Sequence, residues 1–157
     1  MSASEEQAYQ TLLARLQRYA AYQDRCTHDL LRKTTEWHVP ENLREKLLKQ
    51  LTSEGFVDDR RFASSFVRGK FHSNKWGRIR IAGELRARGF SGSIITEALQ
   101  EIGEEEYAEA VRQLILRKNR EINPQKIMHK REKILNFVVG KGFETTLVLR
   151  IIQEIKI

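Results

Sequence analysis

Two stretches of this chain repeat one another at a fixed distance. Gly89-Phe90 and Gly142-Phe143, 53 residues apart, are each followed by twelve residues ending in Gln-Glu-Ile, at Ile102 and Ile155. Phe62-Ala63 and Tyr107-Ala108 form a second matching pair at an offset of 45. The difference of eight between the offsets places an insertion in the last copy, around 117–125. Gly55-Phe56 closes the first third of the chain in a related but less regular way. Self-similarity at this period is the signature of stacked helical units, and a unit of roughly 45–50 residues buries too little apolar surface to stand alone. The expected fold is therefore all-α. Three tandem three-helix repeats, 1–56, 57–102 and 103–157, should lean on one another in an elongated, curved array with a large concave surface.

Local spacing agrees with helices throughout. Ala8, Leu12, Leu13, Leu16, Tyr19 and Ala20 recur at three- and four-residue intervals and make one apolar stripe. A second helix is expected from Cys26 or Thr27 to about Glu36, with Asp29 in its first turn, where a carboxylate answers unpaired amides. Pro40 opens a third, which carries Leu43, Leu47, Leu48 and Leu51 and stops at Gly55. In the middle third, Asp58 or Asp59 caps a helix bearing Phe62, Ala63, Phe66 and Val67. A turn at 73–76 then leads into a helix over 77–88 that Gly89 ends, and Ser91 starts the next. The last third reads as a helix over 104–120, one opened by Asn123-Pro124 and running to about Gly140, and one over 145–155.

Charge singles out the middle third. Residues 56–90 hold nine basic and three acidic side chains, which accounts for six of the seven net positive charges. A localised basic field beside an aromatic suits a polyanion, because counterion release drives the contact and the ring offers a stacking face. Other classes find little support. No apolar run approaches the ~20 residues of a membrane span, and the N-terminus lacks the basic and apolar regions of a signal peptide. The single cysteine, Cys26, excludes an intramolecular disulfide. Together these features predict a cytoplasmic protein with no membrane partner. Cys26, His28 and His38 lack a zinc spacing, Asp58-Asp59 reads as helix capping, and no phosphate loop or nucleophile motif occurs. A non-enzymatic protein without metal or cofactor is expected.

At this point the residues resemble a known family. Val57-Asp58-Asp59-Arg60-Arg61-Phe62-Ala63, Trp76-Gly77-Arg78-Ile79-Arg80-Ile81 and Glu84-Leu85-Arg86-Ala87-Arg88-Gly89-Phe90 are similar to the central repeat of RecX, the bacterial regulator of the recombinase RecA. That pattern runs from an acidic pair before Arg-Phe, through aromatic-Gly-Pro-x-Arg-Ile, to Glu-Leu-x-x-Lys-Gly-Ile. Lys141-Gly142-Phe143 closes the third unit similarly, so the resemblance covers about residues 8–155. The chain departs from the pattern at Lys75, where the family has Gly, at Arg78, where it has Pro, and at Cys26, where it has a capping Ser. The resemblance implies a regulator that binds the RecA filament on single- or double-stranded DNA and inhibits it, with a place in homologous recombination, DNA repair and the SOS response.

Helical geometry sorts the basic residues. Arg61, Arg68 and His72 fall opposite Phe62, Phe66 and Val67, while Arg80 and Arg88 point away from Ile81 and Leu85. The candidate contacts with DNA or filament are Arg61, Arg68, Lys70, Lys75, Arg78, Arg80, Arg86 and Arg88. Trp76 either covers the junction of two helices or stacks on a base or partner surface; Trp37 reads as core. Two other functions fit the same features. One is a stand-alone helical nucleic-acid-binding regulator, although its 77–88 helix exposes Arg and no Asn or Gln and so suits phosphates over base edges. The other is a helical adaptor that binds protein only.

Overall fold

A computed structural model describes residues 2–125 and 127–157; Met1 and Lys126, which fall in the first and third expected repeats, lie outside the described residues. Among the described residues the chain is all-helical, with nine helices and no strand. They are α1 (Ala3–Tyr22), α2 (Thr27–Glu36), α3 (Glu41–Ser53), α4 (Asp59–His72), α5 (Arg78–Ala87), α6 (Gly92–Leu99), α7 (Glu104–Glu121), α8 (Lys130–Gly140) and α9 (Thr145–Ile155). The chain divides into two compact units, Met1–Phe62 and Ala63–Ile157.

In the first unit α3 packs on both α1 and α2. Its core is Tyr9, Leu13, Leu16, Leu30, Val39, Leu47, Leu51 and Val57, and Trp37 packs half-buried against it. The expected apolar stripe of α1 thus supplies Leu13 and Leu16 to this core, while Tyr9, outside that stripe, is buried and its neighbour Ala8 is exposed. The acidic pair divides its work. Asp58 accepts from the Arg61 amide at 3.0 Å and so caps α4. Asp59 instead accepts from the Thr27 amide at 2.8 Å and the Thr27 hydroxyl at 2.9 Å. It therefore caps α2, whose own N-cap residue, Cys26, is a poor acceptor.

In the second unit α5 and α6 pair, and α7, α8 and α9 pack mutually. Ile81, Leu85, Ile95, Tyr107, Val111, Ile115, Ile134, Phe143 and Val148 are almost wholly buried. One expected boundary is wrong. The helix expected to open at Asn123-Pro124 begins at Lys130 instead. Asn123 Oδ1 accepts from the Gln125 amide at 2.9 Å, forming a local turn that competes with helix, and His129 is left-handed at φ 60° just before α8 starts.

The repeat is also related differently at its first closure. Gly89 and Gly142, at φ 80° and 100°, end α5 and α8 in the left-handed region. Their counterpart is not Gly55 but His38, at φ 55°, which ends α2. The His38 amide bonds to the Thr35 carbonyl and the Val39 amide to the Thr34 carbonyl, as Gly89 bonds to Arg86 and Phe90 to Leu85. His38 and Gly89 are 51 residues apart, and so are Thr27 and Arg78, the first residues of α2 and α5. The first residues of α2 and α5 also tie to the start of the second helix after each. Thr27 bonds to Asp59 at the start of α4, and Arg78 bonds to Glu104 at the start of α7.

Candidate polyanion-binding surface

The turn from α4 to α5 carries the basic run, and its backbone explains two departures from the family pattern. Lys75 stands at φ 58°, a left-handed conformation that a Gly would adopt without strain, so the Lys accepts the geometry rather than changing it. Arg78 is the first residue of α5, where Pro fits because the first-turn amide has no intrahelical partner. Here that amide is used. It donates to Tyr107 Oη at 2.9 Å, and the hydroxyl in turn donates to Glu144.

Around Tyr107 the second unit is tied together. The ring is fully buried, 5.9 Å from Phe71 and 5.1 Å from Phe143. The Arg78 guanidinium lies 3.9 Å above it and pairs with Glu104 at 2.8 Å and Glu144 at 3.6 Å. Burial first, and then the bond to Glu144, hold the Tyr107 phenol well above its ordinary pKa. Beside this cluster, the Gly77 amide donates to the Lys141 carbonyl at 2.8 Å and the Ile79 amide to the Gly142 carbonyl at 3.0 Å. A Cβ at Gly77 would overlap Gly142 backbone, and one at Gly142 would overlap Arg80. Both glycines are required for this close approach.

The basic side chains expected to form one surface separate into two groups. Arg61, in the first unit, pairs with Asp24 at 3.2 Å; in the second, Arg68 pairs with Glu101 at 3.3 Å and Arg78 with Glu104 and Glu144. His72 likewise meets Glu106 at 3.3 Å. These residues direct their charge to carboxylates within the protein. By contrast, Lys70, Lys75, Arg80 and Arg86 form no ion pair among the described residues. The Arg80 guanidinium lies 4.0 Å and the Lys70 ammonium 4.8 Å from the centre of the Trp76 ring, which is half-buried at the junction of α4 and α5. Arg88 and Lys70 sit 5.2 and 5.4 Å from the Phe66 ring.

The fold adds a cation that charge counting along the chain passes over. The Lys141 ammonium, from the turn between α8 and α9, donates to the Asn74 carbonyl at 3.2 Å. Its pKa is lowered, first by burial and then by the positive charges of Arg117 and Arg80. The only hint in the sequence is the Lys-Gly-Phe closure, because residues 91–157 nearly cancel in charge. Next to the turn, a groove of about 340 Å³ runs between Phe71, His72 and Lys75 on one side and Glu106, Leu114 and Arg117 of α7 on the other. No helix among the described residues is long and apolar enough to cross a membrane.

Comparison with known proteins places this surface in a family. The family model described as RecX, second three-helix domain, matches residues 58–99, the segment that holds α4, the basic turn, α5 and α6. Regulatory protein RecX of Limosilactobacillus reuteri is 28% identical over 90% of this chain and 54% of its own length. That of Oceanobacillus iheyensis is 30% identical over 92% and 52%. The chain thus spans about half the length of these curated relatives. A crystal structure of regulatory protein RecX superposes with a TM-score of 0.83 at 29% identity, covering 91% of this chain and 70% of that one. RecX from Lactobacillus salivarius shares the fold at a TM-score of 0.83 and 22% identity, over 96% of both chains. With its central repeat matched by the family model, and most of its length superposing on RecX structures, the chain belongs to the RecX family.

Proposed function

We propose that this chain is a non-enzymatic regulator that binds the RecA–DNA filament and inhibits recombinase activity in recombination and DNA repair. One observation carries the reading. Within the segment that matches the RecX central domain, Lys70, Lys75, Arg80 and Arg86 have no internal carboxylate partner among the described residues, although Arg61, Arg68 and Arg78 do. Unpaired cations, two of them, Lys70 and Arg80, against a half-buried indole, are suited to phosphates or to an acidic protein surface. As three three-helix repeats, 1–56, 57–102 and 103–157, the chain would lie along the filament and bridge protomers. A ligand that prefers one filament geometry shifts the recombinase cycle only by its differential affinity for that geometry. Such a partner places the protein in the cytoplasm.

The test has two parts. Hydrolysis of ATP by the cognate recombinase on single-stranded DNA is followed with and without this protein, and inhibition that grows with its concentration is expected. Affinity is then compared for bare DNA, recombinase alone and assembled filament across a salt series. Tighter binding to the filament than to either component is expected. Replacing Lys75, Arg80 or Arg86 with Ala should flatten the dependence of log affinity on log salt by roughly 0.7–0.9 for each phosphate that is no longer neutralised. Arg68→Ala and Arg78→Ala should alter it less. Equal affinity for bare DNA and filament would favour a stand-alone nucleic-acid-binding regulator, and binding only to recombinase without DNA a protein adaptor; either outcome sinks the filament reading.

A further inference from the structure

Trp76 sits where a base-stacking residue would be sought, yet its ring is already engaged. The Arg80 guanidinium carbon lies 4.0 Å from the ring centre, in space a stacked base would need, and the Lys70 ammonium lies 4.8 Å from it. The Trp76 amide donates to the Lys70 carbonyl at 3.0 Å, so the turn itself holds ring and cation in register. From the far side of that turn, Lys141 bonds to the Asn74 carbonyl, and its neighbour Gly142 packs against the base of Arg80. None of Lys70, Arg80 and Lys141 meets a carboxylate among the described residues. The fold therefore gathers three positive groups from α4, α5 and the α8–α9 turn without compensating them. Like charges held together in this way repel, and an anion placed among them recovers that free energy. Burial first, and then the positive charges of Arg117 and Arg80, lower the pKa of Lys141.

We infer that Lys70, Arg80 and Lys141 form one phosphate-binding site that is blind to the base, and that Trp76 is a positioning residue for its cations. An arginine stacked on an indole keeps its planar edge of N–H donors free, which is the edge that grips phosphate oxygens. The ligand is the phosphodiester backbone of DNA. The inference rests on the polyanion reading above but does not require the recombinase.

Binding is measured, for the parent chain and for Trp76→Leu, Trp76→Phe and Lys141→Ala, to an oligo-dT, to an abasic oligonucleotide of equal length and to inorganic polyphosphate, over a salt series. Thermal melts identify any variant that has lost its fold. Trp76→Leu should weaken all three ligands by the same factor, about threefold to tenfold, with the salt slope unchanged because every charge remains. Trp76→Phe should keep most of the affinity, and Lys141→Ala should lower the slope by about 0.7 for each ligand. A Trp76→Leu effect confined to the base-bearing oligo-dT would make Trp76 a stacking residue and overturn the inference. An unchanged slope in Lys141→Ala, or no binding of polyphosphate by the parent at low salt, would also overturn it. A parent that binds all three ligands as expected but binds filament no better than bare DNA keeps this site and loses the filament reading alone.

Discussion

Tyr107→Phe removes one oxygen from the middle of the second unit and leaves the ring in place. That oxygen accepts from the Arg78 amide at 2.9 Å and donates to Glu144 at 2.5 Å, inside a cluster where Tyr107 has no exposed surface. Without it the first turn of α5 loses a cap, worth about 1 kcal/mol, and a carboxylate loses a charge-assisted bond, worth about 1.5–3 kcal/mol. Part of the second loss is recovered because Glu144 keeps Arg78 at 3.6 Å. A net cost of about 2–3 kcal/mol follows from these two magnitudes. In a unit of this size each kcal/mol moves the midpoint by about 4–8 °C, so calorimetry should show the second unit melting roughly 10–20 °C lower. The substitution also changes the pH dependence. The folded phenol titrates above its unfolded value of about 10, so its contribution is fully present below that pH and is lost as pH rises toward the folded pKa. The advantage of the parent over Tyr107→Phe should therefore shrink by about 1.4 kcal/mol per unit above pH ~10. A variant that melts within about 3 °C of the parent, with a gap that does not change with pH, would show that the Arg78–Tyr107–Glu144 bonds contribute little.

Other perturbations test other parts of the structure. Gly77→Ala places a methyl group against Gly142 backbone, so the two hydrogen bonds from the start of α5 to the α8–α9 turn should break at a cost of about 2–4 kcal/mol, read as a lower denaturant midpoint. His38→Gly relieves a left-handed non-Gly residue at the end of α2 and should stabilise the first unit by about 0.5–1 kcal/mol, seen as a higher melting temperature. Cys26 is fully buried, and burial raises its thiol pKa, so an aromatic disulfide reagent at about pH 8 should react with it only slowly until denaturant opens the first unit.

The helices are legible in the sequence because they rest on neighbours along the chain. Periodicity at three and four residues, Pro40, Ser91 and the closing glycines place most boundaries within a residue or two of those observed. The failures are also local in origin. Asn123-Pro124 looks like a helix start, but the Asn side chain closes its own turn and the helix waits until Lys130. Glycine marks the left-handed conformation, so Gly55 reads as the closure of the first repeat, whereas His38, which tolerates that conformation at a cost, occupies the equivalent place.

By itself the sequence determined that the chain is helical, that its last two thirds repeat one another, and that positive charge gathers between residues 56 and 90. These follow from composition and spacing along a single segment. Only the tertiary structure decided which of those charges are available, because the carboxylates that neutralise Arg61, Arg68 and Arg78 arrive from positions 26 to 66 residues away. It likewise brought Lys141 to the turn at Asn74 and laid Arg80 and Lys70 against Trp76. A charge is free for a partner or spent as a structural tie according to what the fold sets beside it, and no window of sequence contains both groups.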